Sequence, residues 1–339
     1  MNVALLWEKK RKKVVCNACI KNCTIEKNKL GYCKTRINKK DKIYTLLYGN
    51  VTGLNIKNIE EVPLFHFLPS TKAVSLTTAT KDLIPILNKE WVIGQRYLPE
   101  VASIKKIQYE KIVKDAFKNN CKSIVFDYIE SSLSIDYAYP IARLASRYLI
   151  KTVLISNGFM SYDLLRNYSK YLDAFIIFVK ASLDKDFYNK YNPLTKNIVE
   201  DIKENIATIN KRAIHLEVCN LIIPKIGDNP ERCRELAEFL VDLNPDIPLH
   251  LIQFYPDENF PDIEMTPVST LETLLDEATK AGLRYVYLSN IPESKYLNTY
   301  CYNCQEIVIK RIPFKTVENL VKLNRCPYCG FKIKLVTQK

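Results

Sequence analysis

Eight of the eleven cysteines in this 339-residue chain stand in two quartets, one near each end. Each quartet constrains the fold around it more tightly than any apolar pattern does. The second runs Cys301–x2–Cys304, then 21 residues, then Cys326–x2–Cys329. A Cys–x2–Cys turn aims two sulfurs at one point, and two such knuckles on neighbouring hairpins complete a closed, tetrahedral site of four thiolates. Gly330 supplies permissive backbone directly after the last ligand. Ile307, Val308, Ile309 and Phe314 read as short strands between the knuckles. The pattern predicts a zinc ribbon, in which the ion stabilises a segment with too little core to fold alone.

The first quartet, Cys16–x2–Cys19–x3–Cys23–x9–Cys33, places four ligands within 18 residues. Zinc is the favoured reading, with an iron–sulfur cluster or reactive thiols as the alternatives. Ligation is preferred to disulfides because a chain of this size without a signal peptide keeps its thiols reduced. A fully thiolate-ligated ion has no open position, so both quartets are expected to hold structural zinc rather than to catalyse. Cys121, Cys219 and Cys233 lie in or beside apolar runs and read as core fillers.

The charge is as unevenly distributed as the cysteine. Residues 1–58 carry 14 basic and 3 acidic side chains, residues 296–339 carry 8 and 2, and residues 59–295 carry 28 and 32. The net +13 of the whole chain therefore sits in its two ends, a distribution suited to an acidic partner. Hydrophobic residues make up 47% of the chain, enough for a buried core and too many for intrinsic disorder. Only 8 glycines are present and no glycine-rich phosphate loop, which argues against a P-loop or dinucleotide-binding enzyme. No apolar run reaches the roughly 18 residues of a membrane span, and Val3–Trp7 is too short for a signal peptide. A soluble, cytoplasmic protein without membrane association is expected.

Between the quartets, apolar strand-like runs alternate with amphipathic stretches. Strands are predicted at 73–76, 123–126, 152–156, 174–179, 216–223, 249–254 and 285–288. Helices are predicted at 109–119, 137–149, 161–170, 198–212, 231–243 and 270–281. Strands that are apolar on both faces and separated by helices imply a parallel sheet covered by helices, a full or partial α/β barrel. The expected organisation is a basic four-cysteine module over 1–58, the barrel over 59–295 and the ribbon over 296–339. His66, His215 and His250 are scattered along the chain and read as structural.

The order of these segments resembles the AmmeMemoRadiSam group of radical SAM enzymes, relatives of pyruvate formate-lyase activating enzymes. The resemblance spans nearly the whole chain. Its landmarks are Cys16–x2–Cys19–x3–Cys23 with Gly31–Tyr32–Cys33, Pro63–Leu64–Phe65–His66–Phe67–Leu68–Pro69, Ser156–Asn157–Gly158 and Leu221–Ile222–Ile223–Pro224. Phe254–Tyr255–Pro256, Thr266–Pro267, Gly282–Leu283–Arg284–Tyr285–Val286–Tyr287 and the terminal ribbon complete them. The resemblance implies a partial α/β barrel of radical SAM type that binds a [4Fe–4S] cluster and S-adenosylmethionine. The family's C–x3–C–x2–C ligands would follow the first barrel strand, but those positions fall on Lys81, Pro85 and Asn88, with Trp91 and Gln95 keeping the register. None of the three replaces a thiolate.

Other departures agree. The family's acidic-proline turn reads Phe126–Asp127–Tyr128–Ile129–Glu130–Ser131 without the proline. Its Asp-Leu-Lys strand end reads Phe178–Val179–Lys180. Asn157, Gly158 and Lys180 are left as vestiges of the cofactor pocket. No [4Fe–4S] cluster is expected in the barrel, and S-adenosylmethionine binding is disfavoured.

The reading that results is a catalytically inactive, radical-SAM-like protein with two zinc sites, acting as a binding module. RNA or the ribosome is the expected partner, with Lys9, Lys10, Arg11, Lys12 and Lys13 as phosphate contacts and Lys34, Arg36, Lys39, Lys40 and Lys42 extending the patch. Tyr300, Tyr302, Tyr328 and Phe331 beside the ribbon are candidates for stacking on bases or for packing over the zinc core. The alternatives are a scaffold or regulator for Memo-like or AMMECR-like proteins, and a residual radical SAM or S-adenosylmethionine-binding enzyme using Asp127, Glu130 and Lys180.

Overall fold

The computed structural model describes residues 1–11, 13–77, 105–127, 130–192, 194–256 and 261–337. Lys12, Lys81, Pro85 and Asn88 lie outside the described residues. The fold is α/β, with an eight-stranded, mostly parallel sheet. Its strands are β1 (Gly53–Asn58), β2 (Lys72–Thr77), β3 (Ser123–Asp127), β4 (Lys151–Ser156), β5 (Ala174–Lys180), β6 (His215–Ile222), β7 (Leu249–Gln253) and β8 (Val286–Leu288). They neighbour one another in chain order, the order left when successive strand–helix–strand crossovers wind in one direction. A doubly wound sheet would instead reverse its order at a switch point.

The chain divides into two compact units, the first comprising Met1–Ile56, Ala73–Phe175 and Asn189–Ile214. The second comprises Lys57–Lys72, Ile176–Tyr188 and His215–Lys339. This runs differently from the expected boundaries at 58 and 295, because the ribbon shares a core with its own half of the chain.

In the first unit, β2, β3 and β4 pair in parallel, with Ser123 opposite Ala73 and Lys151. Every residue of β3 is buried, as a strand covered on both faces requires. The helix α1 (Tyr109–Lys118) buries Ile112, Val113 and Ala116. Phe117, which shares their apolar spacing, is instead exposed and meets Tyr148 edge-on at 5.3 Å. The helix α2 (Ile135–Ala145) carries Asp136, which is buried in its first turn.

The N-terminal residues of this unit form antiparallel hairpins, which the apolar pattern does not announce. Trp7–Lys10 pairs with Lys13–Cys16, and Arg36–Lys39 pairs with Lys42–Thr45. The second hairpin turns through Lys40 and Asp41, both at positive φ (50° and 58°). That is the two-residue turn whose twist matches the strands it joins.

In the second unit, β6, β7 and β8 pair in parallel. The ribbon strands Thr299–Tyr300, Ile307–Ile312 and Lys315–Asn319 form an antiparallel sheet of their own. Val308, Ile309, Ile333 and Leu335 of the ribbon pack in one cluster with Phe65, Tyr285, Tyr287 and Leu297. The Phe65–Leu68 segment is fixed to this cluster by backbone pairing, with the Leu68 amide donating to the Val336 carbonyl at 2.7 Å. Cys121, Cys219 and Cys233 are all buried, as core fillers are.

Candidate metal centres

The ribbon quartet is built by two knuckles of the same design. The Gln305 amide donates to the Cys301 carbonyl at 2.8 Å, and the Gly330 amide donates to the Cys326 carbonyl at 3.0 Å. The residue after each Cys–x2–Cys pair is left-handed, Gln305 at φ 62° and Gly330 at φ 74°. Glycine is therefore used at one knuckle, and the other carries the strain of a side chain in the same conformation. The turns bring Cys301 Sγ to 3.6 Å from Cys329 Sγ and Cys304 Sγ to 3.7 Å from Cys326 Sγ. All four sulfurs lie within 4.8 Å of one another. An ion with metal–sulfur bonds of about 2.3 Å sets tetrahedral sulfur–sulfur edges of roughly 3.8 Å, so the four thiols fit a zinc ion.

Cys301 and Cys326 are buried while Cys329 is exposed. Burial pushes the Cys301 thiol up, whereas hydrogen bonds from the Phe331 backbone and from Asn303 draw Cys329 down to about 6. Beside the knuckles, Arg284 lies 5.4 Å from the Tyr302 ring centroid and 5.5 Å from that of Phe331. Those two rings thus have an internal cationic partner.

Behind the ribbon is a buried polar cluster that the sequence pattern does not reveal. Glu217, buried in β6, accepts from the Phe65 and His66 amides at 2.9 and 2.8 Å. It also accepts from His215 Nε2 at 2.8 Å and His250 Nε2 at 2.7 Å. His66 Nε2 lies 2.7 Å from the Tyr287 hydroxyl, which meets Thr299 Oγ1 at 2.8 Å. The fully buried Arg311 of the ribbon donates to the carbonyls of Leu297 and Phe65 and to Thr299 Oγ1. The three histidines are therefore not scattered in space: they share one network, and its hydrogen bonds are structural. Burial alone would raise the Glu217 carboxyl, but hydrogen bonds from His215 and His250 hold it well below the ordinary carboxylate range. Burial pushes His66 down to about 3, so it is neutral at neutral pH.

The N-terminal quartet has another geometry. Cys16, Cys19, Cys23 and Cys33 line one pocket, partly open to solvent, together with Arg36. The Cys16 amide donates to the Cys23 carbonyl at 2.9 Å, and the Asn22 amide to the Cys19 carbonyl at 3.2 Å. Asn22 and Lys34, each beside a cysteine, are left-handed at φ 47° and 58°. Burial pushes the Cys16, Cys19 and Cys23 thiols up. Among the described residues only the ribbon quartet has its ligand atoms within 4.8 Å of one another. The spacing expected of a single zinc ion is thus not met at the first quartet, although the four thiols share a cavity.

Arg36 departs from the expected role. Its side chain is fully buried, and Nη2 donates to Asp136 Oδ2 at 2.5 Å. It is not available to a phosphate, and the predicted basic surface loses it. Lys9 and Lys10 pair with Val14 and Lys13 in a hairpin beside the 39–42 turn, with Lys9 Nζ 2.8 Å from Asp41 Oδ2. Lys9, Lys10, Arg11, Lys13, Lys34, Lys39, Lys40 and Lys42 are exposed. Lys10 pairs with Glu8 at 2.7 Å.

The residues expected to be vestiges of a cofactor pocket make the following contacts. Glu130 accepts from Ser156 Oγ and from the Asn157 amide, both at 2.7 Å. Gly158 is at φ 83°, and a Cβ there would meet Ile202 Cγ2 at 2.8 Å. Asp127 accepts from Ser75 Oγ at 3.0 Å. Lys180 is buried, and its amide donates to the Tyr188 hydroxyl at 3.1 Å.

No protein-family model matches the chain. It is 34% identical to the uncharacterized protein MJ0808 of Methanocaldococcus jannaschii, over 99% of this chain and 100% of that one. Similar solved structures include a radical SAM methyltransferase from Sphaerobacter thermophilus (10% identity, 64% of this chain and 65% of that one, TM-score 0.46). TYW1 with a lysine-pyruvate adduct bound is another (12% identity, 81% and 85%, TM-score 0.42). A domain of pyruvate-formate lyase-activating enzyme from Bacteroides vulgatus ATCC 8482 is a third (16% identity, 48% and 95%, TM-score 0.38). With TM-scores below 0.5, these likenesses leave the fold to be read from the chain's own strand order. No helix among the described residues is long and apolar enough to cross a membrane.

Proposed function

The chain belongs to the same family as the uncharacterized protein MJ0808, and for this chain we propose a non-catalytic, radical-SAM-like metal protein that binds RNA. The absence of catalysis is supported by the sequence itself: no cysteine occurs between Cys33 and Cys121. The three positions of the family motif are Lys81, Pro85 and Asn88. Without three thiolates an open-iron cluster has no seat there, and reductive cleavage of S-adenosylmethionine has no source of electrons at that place.

The observation that carries the RNA reading is the pairing of two hairpin tips. Lys9, Lys10, Arg11 and Lys13 on one tip and Lys39, Lys40 and Lys42 on its neighbour are all exposed. The acidic partners bonded to this set are Glu8 and Asp41. Such a patch holds phosphates and contributes little sequence preference.

The test is binding of a labelled single-stranded RNA by fluorescence polarisation across a salt series. Affinity should fall with a log–log slope of roughly −0.7 per phosphate contact. The triple variant Lys10→Glu, Lys13→Glu, Lys40→Glu should flatten that slope and weaken binding at least tenfold. Binding that ignores salt, or that survives the triple variant, contradicts the reading. Cleavage of S-adenosylmethionine by reduced, anaerobic protein contradicts the non-catalytic part.

A further inference from the structure

We infer that the cavity lined by Cys16, Cys19, Cys23 and Cys33 houses an iron–sulfur cluster rather than a single zinc ion. The ribbon serves as a control within the same molecule. There the sulfurs stand 3.6 and 3.7 Å apart in pairs and within 4.8 Å overall, as one ion demands. The N-terminal sulfurs line one pocket without that approach. A cluster interposes bridging sulfides and further irons between its thiolates, and so holds them wider apart than an ion does.

The second observation is Arg36. Its side chain has no exposure, it lines the same cavity, and its Nε and Nη1 make no hydrogen bond, only Nη2 being taken by Asp136. Two buried N–H-bearing nitrogens with no acceptor are costly unless something in the cavity accepts from them. The bridging sulfides of a cluster are such acceptors, and hydrogen bonds to sulfur are among the features that set a cluster's potential. An anionic, thiolate-bound cluster also answers the guanidinium's charge. Ile25, Leu133 and Leu194 supply an apolar wall.

Four thiolates close the cluster coordinatively. It therefore offers no iron to S-adenosylmethionine, and its presence agrees with a chain that lacks the barrel motif. The inference stands apart from the RNA reading, and either can fail without the other.

The experiment is anaerobic reconstitution of the full-length protein with ferrous iron and sulfide. Metal and acid-labile sulfide analysis, visible absorption and electron paramagnetic resonance after dithionite follow. The expected result is one zinc per chain together with iron and sulfide in near-equal amounts. The double variant Cys19→Ser, Cys33→Ser should lose the iron and keep the zinc. The double variant Cys301→Ser, Cys326→Ser should lose the zinc and keep the iron. Arg36→Gln combined with Asp136→Asn, which removes both charges together, should shift the reduction potential while iron content holds. Zinc at two per chain without iron overturns the inference. So does a first quartet that takes up no metal, or iron that persists in the Cys19→Ser, Cys33→Ser variant.

Discussion

The ribbon knuckles bring sulfurs to 3.6 and 3.7 Å through two matched turns, whereas the N-terminal cysteines line a pocket with a buried arginine among them. Both quartets consist of four cysteines. What separates them is the backbone between the ligands. Each ribbon pair is one Cys–x2–Cys turn closed by a left-handed residue. The N-terminal set mixes spacings of two, three and nine residues, so its sulfurs arrive from turns of different shape. Ligand count does not identify a metal site; the distance at which the backbone holds the ligands decides.

The comparison is broken most severely by removing the ribbon's thiols. Structural zinc contributes about 10–16 kcal/mol in isolated finger peptides; an ion held by the ribbon would contribute less, because Val308, Ile309 and Ile333 also pack on Phe65 and Tyr285. Cys301→Ser with Cys326→Ser should still destabilise the second unit by several kcal/mol, read as a lowered denaturation midpoint and as faster proteolysis within 296–339. An unchanged midpoint would mean that the apolar cluster alone holds the ribbon.

The next largest effect is expected behind the ribbon, at Glu217. Glu217→Gln leaves one oxygen to serve two backbone amides and two histidines. Removing one member of a buried charged network costs about 3–5 kcal/mol, measurable by urea unfolding. A loss below about 1 kcal/mol would place this network among the dispensable ones.

The smallest effect is a pH dependence, and it sharpens the contrast because it belongs to the second unit. His66 is held neutral down to about 3 when folded, against 6.5 when exposed. Between those values the unfolded chain binds the extra proton, so stability is full above pH 6.5 and falls on acidification. The slope approaches about 1.4 kcal/mol per pH unit from this one group. The lowered Glu217 acts in the same direction, adding to the loss below its exposed value of 4.5. Urea midpoints at pH 7 and pH 5 check the sign; greater stability at pH 5 contradicts it.

The strands and helices of the sheet were legible because both-face apolar runs such as Ser123–Asp127 have no other stable disposition. The ribbon was legible because its spacing encodes its turns. The hairpins at 7–16 and 36–45 were not, since lysine-rich edges carry no apolar period to count. Arg36 was misplaced on the surface for the same reason: adjacent lysines disguise a residue whose partner, Asp136, lies 100 positions away. The convergence of His66, His215 and His250 on one network was equally hidden, because it depends on strand order rather than on spacing. The packing of Phe65 and Tyr285 into the ribbon's core was hidden in the same way, because those residues lie far from the knuckles in sequence.

X-ray absorption at the zinc and iron edges of the anaerobically reconstituted protein tests the distinction between the two quartets most directly. The account predicts a zinc edge with a single shell of four sulfurs at about 2.3 Å and an iron edge with sulfur neighbours and a further iron–iron shell. Zinc filling both quartets, with no iron–iron scattering in the sample, would contradict it.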